Sequence, residues 1–208
     1  MTRSRRLPAD ERRRAIVKAA LRVFSSGSYS GATTAEIARE AGVTEPVLYR
    51  HFASKRDLWV ACLDAAWEEF RIVLDVVLGA MISGQPAEEL PPAMARWKKA
   101  LMPNLWMQGI TEAGEDREIR RHVARHMRAV HDHTAARLRE AQDAGLMPDD
   151  RNADAEAWVM IAGALLRSVA DRLGGLLDDD DLAAIQRERM RWLLGHEAPL
   201  ASAPARVS

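Results

Sequence analysis

The 208-residue chain has a single cysteine, Cys62, so it forms no internal disulfide and no cysteine-rich zinc site. A reducing compartment is its natural setting. Long apolar runs are missing as well. Charges interrupt every candidate before the ~20 residues that a bilayer span needs. The basic start, MTRSRRLPADERRR, leads into no apolar signal core, so a cytoplasmic protein with no membrane partner is expected. Catalytic signatures are lacking. There is no Gly-rich phosphate loop and no Gly-x-Ser-x-Gly elbow, and His196-Glu197 is not followed by a second histidine at zincin spacing. The expectation is therefore no enzyme and no cofactor.

Net charge vanishes only in the total, which is +0. Residues 1–60 carry 12 Lys and Arg against 6 Asp and Glu, and the remaining residues carry 18 against 24. A positive head on a negative body concentrates the field at one end, where a polyanion would be met.

What is present begins with that head. Ile16, Ala19, Ala20, Val23 and Phe24 follow the spacing of an amphipathic helix, with Pro8 in its first turn and Asp10 and Glu11 at its positive end. Gly27 and Gly31 end it. Thr33 and Glu36 have capping-box spacing, which starts a second helix running to Ala41, and Gly42 supplies the turn. Thr44 caps a third helix with Pro46 in its first turn. Val43, Leu48 and Phe52 point inward. That leaves Thr44, Glu45, Pro46, Val47, Tyr49, Arg50 and His51 outside. Ser54 and Asp57 repeat the cap for a fourth helix, with Lys55 in its first turn. Two short helices around a glycine turn make a helix-turn-helix, whose second helix enters the DNA major groove.

The run from Thr33 to Trp59, above all Leu48-Tyr49-Arg50-His51-Phe52 followed by Ser54-Lys55, resembles the N-terminal domain of the tetracycline-repressor (TetR) family. The resemblance covers roughly residues 8–60. It implies that Tyr49, His51, Lys55 and Thr33 or Thr34 hold phosphates, while Thr44, Glu45, Pro46, Val47 and Arg50 are candidates to meet bases. Arg50 suits guanine or a further phosphate about equally. Glu45 is the odd member, repelled by DNA unless it accepts from cytosine N4 or steers an arginine. Arg3, Arg5 and Arg6 form a basic arm suited to salt-sensitive affinity.

Helical patterns continue through the body. The fourth helix should run from Lys55 to near Ser83. Pro91-Pro92 restart a helix that Pro103 terminates, and residues 104–115 read as a loop or short helix. Helices over 116–144, 153–173 and about 180–194 follow, before a Gly, Ala, Pro and Ser tail. Trp67, Trp97, Met102, Trp106, Met107, His126, Met127 and Trp158 supply large, soft or polar side chains. Each alone reads best as ordinary core. As a set they are the candidate lining for a small apolar or aromatic effector, because the resemblance puts an effector pocket among the central helices. His122 and His126 stand four apart, but no third ligand falls beside them, so no metal is expected. Trp158, Ala162, Leu165, Leu166, Val169, Ile185 and Leu193 form apolar faces on the last two helices. As in the resembled family, they would bury in a twofold four-helix bundle.

The fold class expected is all-α: an N-terminal three-helix helix-turn-helix domain over 1–54, a C-terminal helical ligand-binding and dimerisation domain over 55–194, and a tail over 195–208. The function expected is a homodimeric regulator, most simply a repressor. It would bind a double-stranded, pseudo-palindromic DNA operator and be released by a small-molecule effector.

Overall fold

The computed structural model describes residues 8–82 and 102–195, and among them every regular element is a helix. The eight helices are α1 (Ala9–Ser26), α2 (Thr34–Glu40), α3 (Glu45–His51), α4 (Lys55–Ile82), α5 (Met102–Glu112), α6 (Arg117–Asp143), α7 (Ala153–Leu173) and α8 (Asp179–Leu193). They fall into two compact units. The first holds α1 to α3, α4 as far as Val77, α5, and α6 as far as Val130; the second takes the end of α4 from Leu78 and the chain from His131 onward. The basic arm, the expected helix after Pro91-Pro92 with Trp97, and the tail beyond residue 195 lie outside the described residues.

In the first unit most local signals act as read, with two corrections: Thr44 stands at the N-cap of α3 without a side-chain bond, and Pro8 lies just before α1 rather than in its first turn. Pro8 precedes α1, and Ile16, Val17, Ala19, Ala20 and Phe24 form its buried stripe. Thr33 caps α2 by accepting from the Glu36 amide at 3.2 Å. The C-terminus of α2 closes with Gly42 N–H on Arg39 O and Val43 N–H on Ala38 O, while Gly42 sits at φ +66°. That is the left-handed cap which a Cβ would strain, and it sets the angle between α2 and α3. Leu48 and Phe52, both buried, hold α3 by its inner face. Ser54 and Asp57 cap α4 reciprocally: the Asp57 amide donates to Ser54 Oγ at 3.1 Å and the Ser54 hydroxyl to Asp57 Oδ2 at 2.8 Å.

Helix α5 lies against α4 and α6 with almost no space between. A Cβ on Gly109 would stand 2.6 Å from Trp59 and 2.5 Å from Val123. Leu58, Trp59, Leu63, Leu105, Trp106, Ile119 and Val123 are buried around this contact. Pro103 stands in the first turn of α5, and the helix expected to end at it lies outside the described residues. Proline is tolerated there because the first amides of a helix have no partner to lose.

The second unit takes the end of α4 from Leu78, α6 from His131, α7 and α8. Asn152 caps α7 by accepting from the amides of Asp154 and Ala155, and Asp178 forms a capping box with Asp181 at the start of α8. Its core gathers Ala135, Leu138, Met147, Ala153, Ala157 and Leu193. Leu193 was expected on an outer apolar face, and this is a correction: it is 4% exposed, inside the core of its own chain. Position 193 points inward because α8 turns its end toward Met147 and Ala157, and a side chain already dry there gains nothing from a second copy.

Candidate nucleic-acid interface

The α2–α3 pair presents a polar outer surface because its apolar residues are used on the other side. Ile37, Ala38 and Leu48 are buried. Thr33, Thr44, Pro46, Tyr49 and Arg50 are exposed, and Thr34, Glu45, Val47, His51 and Lys55 are half-buried. The Thr44 hydroxyl makes no capping bond. The Arg50 guanidinium takes no hydrogen bond or ion pair among the described residues, so both stay available to a ligand on this face. The Arg13 guanidinium lies 4.8 Å over the Phe52 ring, adding a cation near the end of α3 that periodicity along α1 did not single out.

Three residues of this surface are wired together. Thr34 Oγ1 donates to Glu45 Oε1 at 2.6 Å and lies 3.1 Å from the Tyr49 hydroxyl. A threonine hydroxyl has one proton. Because Glu45 takes it, Tyr49 donates to the threonine oxygen, and the chain runs Tyr49 to Thr34 to Glu45. Nothing in local spacing announces it, since the partners stand 11 and 15 residues apart.

Lys55 is docked rather than extended. Its Nζ donates to Ser30 O at 3.3 Å and sits 4.6 Å over the Tyr29 ring. Burial there lowers its pKa below the usual lysine value, with Glu112 acting in the opposite sense. An ammonium has three N–H donors, so a phosphate arriving at the start of α4 finds two still available.

Behind the surface, two contacts tie the head to the helices that follow. Arg56 pairs with Asp116 at 3.4 Å and with Glu118, at the start of α6. Gln108 on α5 is buried, and its Nε2 donates to Phe24 O at 2.7 Å and Gly27 O at 3.5 Å. Those are acceptors at the end of α1, where a helix leaves carbonyls without partners. Neither residue stands out in the sequence, because each acts on an element remote from it in the chain.

The residues expected around an effector divide between the units. In the first, Trp106 is fully buried and donates its indole N–H to His126 Nδ1 at 3.0 Å. His126 Nδ1 is thus the unprotonated nitrogen, and Nε2 donates to Leu63 O at 3.2 Å. Burial lowers the His126 pKa and keeps the ring neutral. Both nitrogens are filled, so this ring has no lone pair left for a metal. Trp67 meets the same ring edge-on at 6.4 Å, and Met107 and Met127 are half-buried. Met102 opens α5, and nothing is described of its side chain. Trp158 belongs to the second unit, stacked on His131 at 4.4 Å. There Trp158, Ala162, Leu166 and Ile185 are exposed, and Leu165 and Val169 are half-buried.

Comparison with known proteins agrees with this architecture. Residues 16–62 match the family described as bacterial regulatory proteins, tetR family. Over 163 residues the chain is 30% identical to the HTH-type transcriptional regulator BetI of Rhizobium meliloti, covering 75% of this chain and 77% of that protein. Over 61 residues it is 51% identical to the HTH-type transcriptional activator FasR of Mycolicibacterium smegmatis, a match that spans 29% of this chain and 28% of that one. A solved TetR-family regulator from Cytophaga hutchinsonii superposes with a TM-score of 0.71 at 15% identity, covering 92% of this chain and 98% of that one. A DNA-reading head of this geometry, on a helical body matched over most of its length, makes the chain a member of the TetR family of transcription regulators.

Proposed function

We propose that the chain is a homodimeric repressor. Its two heads bind a pseudo-palindromic operator, and a small apolar or aromatic effector in the body releases it. The observation that carries the DNA-binding half is the outer surface of α3, where Thr44, Pro46 and Arg50 stand exposed at the positive end of the chain. In this reading His51, Lys55 and Thr33 grip phosphates, Tyr49 and Thr34 keep their hydroxyl protons within the chain that ends on Glu45, and Thr44, Glu45, Pro46, Val47 and Arg50 face base edges. The head covers residues 1–54 and the effector and dimerisation domain residues 55–194.

Dimerisation is supported by the solvent-facing apolar stripe on α7. Trp158, Ala162, Leu165, Leu166 and Val169 recur at helical spacing, and Leu166 is 42% exposed. Ile185 on α8 is 46% exposed. Water against such residues is a cost that a second copy removes. For effector sensing, the support is the soft cluster of Trp67, Trp106, Met107, His126 and Met127 in the same unit as the head. A ligand that reorganises α5 there reaches α1 through Gln108 and α4 through Trp59. It weakens operator binding by as much as it prefers the altered state. One relative is named an activator, so activation is the alternative to repression that a reporter assay would separate.

The test is a gel shift with the DNA upstream of the chain's own gene, repeated at rising salt. A salt-sensitive shift at dimer stoichiometry supports the proposal. Absence of a shift, or one insensitive to salt, favours a protein adaptor instead.

A further inference from the structure

Glu45 is a carboxylate on a surface otherwise suited to a polyanion, and its fixed geometry gives it a use. Its Oε1 is anchored by the Thr34 hydroxyl at 2.6 Å, and Thr34 is in turn held by Tyr49 at 3.1 Å. Its Oε2 takes no hydrogen bond from the protein among the described residues. The group is half-buried in the first turn of α3, the end of a reading helix that enters the major groove. One oxygen is thus locked in place, and the other is a directed acceptor.

An ionised carboxylate only accepts. In the major groove guanine offers only acceptors, and thymine offers an acceptor and a methyl group. Adenine offers an amino donor beside the N7 acceptor, which repels a carboxylate. Cytosine offers the N4 amino group without that neighbour. Every other base leaves the charge unpaired next to phosphates, so the same group attracts one base and rejects three.

We propose that Glu45 is a specificity-determining residue that selects cytosine, through its N4 amino group, at one position of each operator half-site. Thr34 and Tyr49 act as positioning residues for its carboxylate. The inference rests on the DNA-binding reading above.

The experiment is enrichment of a randomised duplex library by the full-length protein and by Glu45→Gln and Glu45→Ala. Glutamine keeps an acceptor for Thr34 but adds a donor, so it suits adenine. The native protein should fix one cytosine per half-site, with other bases there binding roughly 5- to 100-fold more weakly. Glu45→Gln should move that position toward adenine. Glu45→Ala should relax it and raise affinity for the three rejected bases. Thr34→Val frees the carboxylate and should blunt the cytosine preference without changing which base leads. Identical motifs from the native protein and both Glu45 variants, with affinities moved uniformly, would overturn the proposal and leave Glu45 a helix-start charge. If the native protein enriches no motif at all, the DNA-binding reading itself fails, which is a separate result.

Discussion

Substituting alanine at Gly109 sets two physical effects against each other. Helix propensity alone favours the change by about 1 kcal/mol, because glycine in a helix interior loses more backbone freedom than alanine. Packing opposes it. The new methyl would stand 2.5 Å from Val123 Cγ2, and 2.6 and 2.8 Å from two atoms of the Trp59 ring. Trp59 is fully buried and Val123 nearly so, so neither swings away into solvent. Overpacking of this kind costs about 1–3 kcal/mol. Two stiff groups on one methyl put the cost in the upper part of that range, for a net loss of about 1–2 kcal/mol. For a chain of this size that lowers Tm by about 2–8 °C. Thermal denaturation followed by circular dichroism measures it. The effect also reaches the reading head, because Trp59 stands one turn after Lys55 on α4. Gly109→Ala should therefore weaken operator binding at temperatures where the fold is intact. A rise in Tm of a few degrees, the outcome if propensity decides, would refute the close approach of α5 to α4.

Other expectations follow from the same geometry. Lys55→Ala should weaken binding to all duplexes alike and reduce the slope of log K against log salt by ~0.9 per phosphate charge lost, or ~1.8 for a dimer. Arg50→Ala should relax base preference at one position if it reads guanine; a uniform loss of affinity assigns it to a phosphate instead. For His126, burial lowers the folded-state pKa, so the unfolded chain binds more protons below the ordinary value of about 6.5. Its contribution is present above that pH and is lost as pH falls below it, with a slope of at most ~1.4 kcal/mol per pH unit. Urea denaturation between pH 5 and 7.5 should show a flatter dependence in His126→Gln, and equal slopes would contradict this. Leu166→Glu places a charge in the exposed α7 stripe. It should reduce the mass seen by light scattering from two chains to one, while Leu193→Ala should destabilise the chain by about 2–5 kcal/mol without that change.

How far the chain could be read depended on the range of the interaction. Caps are local, so the starts of α2 and α4 follow from Thr33 and Ser54, and the range 153–173 matches α7 in full, while the caps by Asn152 and Asp178 emerge only in the folded chain. Pro103 opens α5, a role that its missing N–H fits as well as the end of a helix, so the residue alone does not say which it does. The wiring of Glu45 to Thr34, the hold of Gln108 on α1 and the need for glycine at 109 depend on elements brought together by folding. No periodicity records them. Leu193 shows the remaining ambiguity: an apolar face must be buried, but spacing does not say whether its own chain or a second copy buries it.

In the proposed complex two copies of α3 present the Thr44–Lys55 surface to successive major grooves of one duplex. Hydroxyl-radical footprinting on an enriched operator tests it most directly. Two protected patches centred one helical turn apart, about 34–36 Å, are the predicted result, and they should disappear together in the monomeric Leu166→Glu variant. A single patch, or protection that survives in the monomer unchanged, would contradict it.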